Sequence, residues 1–291
     1  MFTLISRPPH VITFMKKSFL LLCVMLLLSV SNSMAIEEKS ALLQARERDK
    51  LIIGVKTDVP LFGFEKPESD EIDGFDVDIA KKLAKYLLGD EEKLELKSVT
   101  SSSRLPLLQT AKIDLLVATT TITDERKKLV DFSESYFDLG QSILVPKNSK
   151  IRDLRDLAFQ NVIVVKGAVA LSILPKKMPS AKLIQYETYE AAIEALRAGK
   201  GVALVTSSAI LLGLQKNNPD LHLVGGLFTF ESFGIAVQKG DSVMQQAVNE
   251  VLRKIRASGE YNAIYQKWFG AIVEKEYDDF YQKSFGFLFK Q

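Results

Sequence analysis

The sequence predicts an α/β protein of two lobes. Three observations carry that expectation. Short apolar runs rich in β-branched residues alternate with amphipathic stretches of helical period, the pattern of a sheet covered by helices. The alternation occurs twice, once before residue 140 and again from residue 162. A length of 291 residues, 47% hydrophobic and 25% charged, suits two domains of ordinary size.

In the first half, residues 37–50 are charged with helical spacing and read as a solvated lead-in helix. Leu51 to Val55 is an apolar, β-branched run, hence a buried strand. Asp76 to Leu88 carries Val77, Ile79, Ala80, Leu83, Ala84 and Leu87 at helical spacing, and Gly89 stops it. Leu94 to Val99 alternates as a strand does, Leu105 to Ala111 is a short apolar helix, and Asp114 to Thr119 is another buried strand. In the second half, Val162 to Val165 is a strand, Tyr189 to Ala198 a helix ended by Gly199, and Val202 to Val205 a strand. A helix over Ala209 to Gln215 and a strand over His222 to Val224 follow. Phe233 to Val237 leads back as a strand, and Val243 to Gly270 is mostly helix. No Gly/Ser-rich or Pro-rich linker separates the units, so continuous strands should join them. Ligands of open α/β sheets sit beyond the strand C-termini, so two such lobes face each other across a cleft.

Composition excludes several function classes. Of the 38 basic residues, three lie in residues 1–35, which hold no acid, leaving 35 basic against 36 acidic in the body. A near-neutral body is not that of a nucleic-acid binder. The single cysteine, Cys23, lies in the same leading segment, so the body has no disulfide, thiolate metal site or cysteine nucleophile. His222 is the body's one histidine, set between Leu221 and Leu223 in a strand, a structural position. There is no G-x-S-x-G elbow, G-x-G-x-x-G or P-loop. Asp73, Asp76 and Asp78 do not continue as a calcium loop, and Asp76 reads as a charge on a helix N-terminus. Neither a cofactor, a metal nor a catalytic residue is expected.

The leading segment reads as export machinery. Lys16 and Lys17 precede an apolar run from Phe19 to Leu28, and a polar stretch ends at Ser33-Met34-Ala35. That is a signal peptide over residues 1–35, with Met15 as a second possible start. The run is short for a bilayer anchor, and Leu20-Leu21-Leu22 before Cys23 lacks the small residues of a lipidation site. At the other end Val273, Tyr277, Phe280, Tyr281 and Phe287 form an aromatic stripe expected to pack on the first lobe.

The runs LIIGVKTDVPLFGF, IDGFDVDIAKKLA, KIDLLVATTTITDERKKLVDFSESYF, ESFGIAVQKGD and YNAIYQKWFG, in order over residues 50–270, resemble the polar amino-acid family of periplasmic solute-binding proteins that serve ABC importers. The resemblance is greatest to aspartate/glutamate binders. It implies a type II periplasmic binding protein fold, with lobe 1 at residues 41–143 plus 238–291, lobe 2 at 144–237, and a two-strand hinge. It also implies a periplasmic monomer, a membrane permease as partner, and no nucleic acid.

The resemblance assigns the site residue by residue. Arg126 matches the arginine that grips the α-carboxylate, a task suited to a planar, always charged fork of donors. Thr119 and Thr121 add donors at the strand end. Arg104 matches the arginine that pairs with a side-chain carboxylate in acidic amino-acid binders, and Lys56 ends the first strand where members place a contact. The second lobe departs from the pattern. The usual Gly-Thr-Thr is Lys166-Gly167-Ala168-Val169-Ala170, and the usual VDAVVTDD is GVALVTSS, which puts Ser207 where an aspartate holds the α-ammonium. Glu187 or Glu231 could stand in for it. Lys56, Arg104, Arg126 and Lys166 around one cleft predict an anionic ligand: a glutamate- or aspartate-like amino acid, with a non-amino dicarboxylate as the rival. A periplasmic dehydratase on the same fold is the enzymatic alternative.

Overall fold

A computed structural model describes residues 40–272. The segment read as a signal peptide and the aromatic stripe from Val273 lie outside the described residues.

The chain opens with helix α1 (Ala41–Glu47), capped by Ser40, whose oxygen accepts from the Leu42 amide. Strand β1 (Leu51–Val55) follows, then a small antiparallel sheet of β2 (Asp58–Val59), β3 (Gly63–Glu65) and β4 (Ile72–Asp73). Helix α2 (Phe75–Leu88) buries one apolar stripe and ends at Gly89, whose φ of 85° is the left-handed cap that glycine adopts without cost. Strand β5 (Leu94–Ser98), helix α3 (Arg104–Gln109) and strand β6 (Leu115–Leu116) complete the first βαβαβ unit. Beyond it lie the short helix α4 (Asp124–Lys127) and the long strand β7 (Val130–Leu139).

After Gly140 alone, β8 (Gln141–Pro146) opens the second lobe. It continues with β9 (Asn161–Val165), α5 (Ala170–Lys177), β10 (Lys182–Tyr186), α6 (Tyr189–Arg197), β11 (Ala203–Ser207), α7 (Ser208–Asn217) and β12 (Leu221–Val224). Strand β13 (Glu231–Gln238) returns to the first lobe, followed by α8 (Ser242–Ala257) and α9 (Glu260–Ile272). The mostly helical stretch expected over 243–270 is two helices, broken at Gly259 with φ 82°.

The first sheet has the order β5-β1-β6-β13-β7 and the second β10-β9-β11-β8-β12. Strands β5, β1 and β6 are parallel, as are β10, β9 and β11, so the carboxyl ends of each set share one edge. Sheet membership places the crossings at Gly140 and between β12 and β13, rather than at 143/144 and 237/238. All of β13 pairs in the first sheet. The reason is packing: the Phe233 ring sits 5.8 Å from Phe62 and 6.2 Å from Phe137, in an aromatic core that includes Phe75 and Phe269. Gly140 has no room for a side chain, since a Cβ there would lie 2.0 Å from the Thr229 carbonyl oxygen of the other crossing. Among the described residues, no helix is long and apolar enough to cross a membrane.

Candidate ligand-binding cleft

The site is assembled where the strand ends of the two sheets meet. From β6 the chain runs through Ala118 to Thr121, and Thr119 takes a left-handed backbone, φ 47°, unusual for a β-branched residue. Asp76 holds it there. The Thr119 amide donates to Asp76 Oδ2 at 2.9 Å, and the Tyr136 hydroxyl donates to Oδ1 at 2.9 Å. Asp76 does lie in the first turn of α2, but Gly74 is the N-cap and the Asp76 carboxyl is fully buried. Burial pushes it up to about 7, against the pull of those two hydrogen bonds and of Arg104. Between its ordinary value of 3.8 and about 7 the folded state holds the extra proton, so stability should fall as pH rises through that window, by up to about 4 kcal/mol. Thermal melts from pH 4 to 8 check this: Asp76→Asn should flatten that part of the profile and lower binding through the loosened Thr119 turn.

Arg126 lies on α4, whose N-cap Thr123 accepts from the Arg126 amide. Its guanidinium donates through Nη1 to the Thr121 carbonyl at 2.7 Å and through Nη2 to the Gly167 carbonyl at 2.9 Å. Arg104, at the start of α3, donates Nη1 to the carbonyls of Ala118 at 2.7 Å and Thr119 at 3.1 Å, and Nη2 to Gly167 at 3.3 Å. Two buried guanidiniums from the first lobe therefore meet at one carbonyl of the second. Burial, then repulsion from Arg104, lowers Arg126 to about 9, which still leaves it charged at neutral pH. Burial lowers Arg104 as well. Gly167 has φ 75°, and a Cβ there would come 2.3 Å from the Ser101 carbonyl oxygen.

Lys56 is fully buried at the end of β1 and pairs with Asp58 at 2.8 Å. Its ammonium also donates to Ser101 Oγ at 3.3 Å and lies 5.6 Å from the Tyr189 ring centroid. Desolvation lowers it, with Asp58 opposing. Asp58 in turn accepts the Tyr189 amide at 3.1 Å, which ties the first lobe to the start of α6.

Lys166 stands apart from this group. It is about half exposed and pairs with Glu187 at 3.0 Å, which also accepts from Ser102 across the rim. The residue after it, Gly167, is the one that reaches both arginines. Ser207 is buried at the end of β11 and accepts from Gln141 Nε2 at 3.3 Å. Gln141 Nε2 also donates to Glu231 Oε2 at 3.0 Å. Burial raises Glu231, with Arg126 pulling it down. So Arg104, Thr119, Thr121 and Arg126 form one hydrogen-bonded group, Lys56 bonds to Ser101, and Ser207 belongs to a second group with Gln141 and Glu231 that Arg126 reaches through its field. Gln141 and Gly167 gave no sequence signal of their own. Their places follow from strand pairing and from a turn that only glycine fits. Among the described residues no cluster of His, Cys, Asp or Glu could hold a metal ion.

The cation inventory changes accordingly. Lys56 is matched by Asp58, Lys166 by Glu187, and Arg126 and Arg104 lie in the fields of Glu231 and Asp76. The excess of cations expected from the sequence narrows to these two guanidiniums, which hydrogen-bond to backbone carbonyls.

Comparison with known proteins gives the family. Residues 51–271 match the model of the bacterial extracellular solute-binding proteins, family 3. The chain is 47% identical over 241 residues to the ABC transporter glutamine-binding protein GlnH of Bacillus subtilis, covering 82% of this chain and 88% of that protein. It is 34% identical over 199 residues to the L-glutamate/L-aspartate-binding protein of Pseudomonas aeruginosa, covering 66% of each. Among solved structures, the solute receptor for L-cysteine of Neisseria gonorrhoeae superposes with a TM-score of 0.76 at 33% identity, over 80% of this chain and 94% of that one. An ancestral arginine-binding protein bound to glutamine gives 0.72 at 38%, over 77% and 99%. The matched residues take in both sheets and the cleft between them, and this chain belongs to the bacterial extracellular solute-binding proteins of family 3.

Proposed function

We propose that this chain is the solute-binding component of an amino-acid ABC importer and that its cargo is a polar amino acid with an uncharged side chain, glutamine fitting best. The observation that carries this reading is the pairing of the cleft cations. With Lys56 held by Asp58 and Lys166 paired with Glu187, two guanidiniums remain: Arg126 to receive an α-carboxylate, and Arg104, whose Nη atoms are already committed to three backbone carbonyls, with one donor left for a side-chain oxygen. The relative at 47% identity is named for glutamine. It works outside the cytoplasm, in the periplasm if the cell has one, and delivers to a membrane permease. Solute meets the Arg126 lobe first, and the second lobe then closes over it.

Glutamate or aspartate is the second reading. The Nε of Arg104 is buried without a partner and could take a side-chain oxygen, and a relative at 34% identity is named for those two acids. Calorimetry with glutamine, glutamate, aspartate and succinate separates the two. Glutamine should bind at least tenfold more tightly than glutamate, and succinate not at all. Glutamate binding tighter than glutamine would return the assignment to the acidic amino acids.

A further inference from the structure

The strand-end position where an acid would hold an ammonium carries Ser207, but an acid is present nearby from another strand. The β11–β8 register sets Ser207 opposite Gln141. Gln141 Nε2 reaches Ser207 Oγ at 3.3 Å and Glu231 Oε2 at 3.0 Å. Thr229 donates its hydroxyl to the other Glu231 oxygen at 2.7 Å and accepts the Gln141 backbone amide at 2.7 Å. The carboxylate is therefore fixed in place by two side chains. A carboxylate only accepts, so the Gln141 amide nitrogen must face it and the amide oxygen must face away. That oxygen, Gln141 Oε1, is buried without a partner, as is the Ser208 hydroxyl one residue past Ser207. The two residues are 1% and 0% exposed. Leaving a buried acceptor unmet is unfavourable, since it has lost its water without gaining a donor. An ammonium brings three donors and one positive charge, which meets both acceptors and balances Glu231. Glu231 also lies within the field of Arg126. A cation and an anion within one another's field are what a zwitterion requires.

We propose that Glu231, together with the unmet acceptors Gln141 Oε1 and Ser208 Oγ, receives the α-ammonium of the bound solute in place of an acid at position 207. The assignment rests on the amino-acid reading above. Its rival is that Glu231 only neutralises Arg126, in which case removing its charge acts equally on any carboxylate ligand.

The test is calorimetry with L-glutamine and with glutaramate, the same molecule without its α-amino group. Wild type should prefer glutamine by about a hundredfold. Glu231→Gln should lose at least tenfold on glutamine and little on glutaramate, so that the preference collapses. Ser207→Asp added to it should restore the preference, since the new carboxylate adjoins the same Gln141 amide. Ser208→Ala, a change too small to unfold the protein, should lose severalfold on glutamine alone. Unaltered preference in Glu231→Gln and Ser208→Ala, or equal changes on both ligands, overturns the assignment. If wild type binds another L-amino acid instead, that acid and its deamino analogue replace the pair with the same expected outcomes. If a thermal-shift panel finds no L-amino acid that binds, the amino-acid reading itself falls, and the assignment with it.

Discussion

Arg126→Ala should abolish measurable binding while leaving the fold intact. The guanidinium already makes a hydrogen bond within its own lobe and one to the opposite lobe, at 2.7 and 2.9 Å. A carboxylate that takes two charge-assisted bonds from it gains about 3–6 kcal/mol, or two to four decades in affinity. Losing the arginine should not cost the same in stability, because burial disfavours its charge, as its lowered value records. Arg126→Lys keeps the charge but not the fork, so it should recover only part of the loss. Titration calorimetry gives the affinity and a thermal melt gives the fold. A variant that melts far lower, or one that binds as wild type does, would make Arg126 a structural residue.

Gly213→Ala should separate stability from binding. Gly213 lies inside α7, where alanine is favoured over glycine by about 1 kcal/mol. Yet a Cβ there would sit 2.1 Å from the Pro60 carbonyl oxygen, and Pro60 lies between β2 and β3 of the small sheet, whose β3 and β4 pack on α2 of the first lobe. The clash exists only when the lobes touch. The variant should therefore melt at or above the wild-type temperature, bind at least tenfold more weakly, and fail to compact on adding ligand in small-angle scattering. Gly167→Ala meets Ser101 in the same way but carries backbone strain at φ 75° as well, so it should lose both binding and stability. The pair distinguishes a contact made on closing from one needed for folding. Unchanged affinity in Gly213→Ala would mean that the solute is held without this contact.

The sequence made the two βαβ units legible because hydrophobic period and glycine stops are local signals. The helix ending at Gly89 and the strand at Leu51 required nothing more. The strongly patterned TTITDER block likewise pointed to Thr121 and Arg126. What was illegible depended on distant pairing. Asp58 is two residues from Lys56, but whether the two meet depends on the turn into β2. Asp76 has the position of a helix-end charge, and its burial under Thr119 and Tyr136 comes from residues 43 and 60 positions away. Glu231, Gln141 and Ser207 converge only through the registers of β13 and β11. The lobe boundary at β13 was misjudged because its apolar residues suit either sheet, and the aromatic core around Phe62 decides it. Lys166 stands out by charge, whereas the contact with Arg104 and Arg126 is made by the backbone beside it, and a carbonyl has no signature in a sequence.

Native mass spectrometry of the protein purified from its own cells tests the central claim most directly. A single bound nitrogen-containing solute with the mass of one amino acid, lost in Arg126→Ala, is the predicted result. A bound dicarboxylate without nitrogen, or the same solute retained by Arg126→Ala, would contradict it.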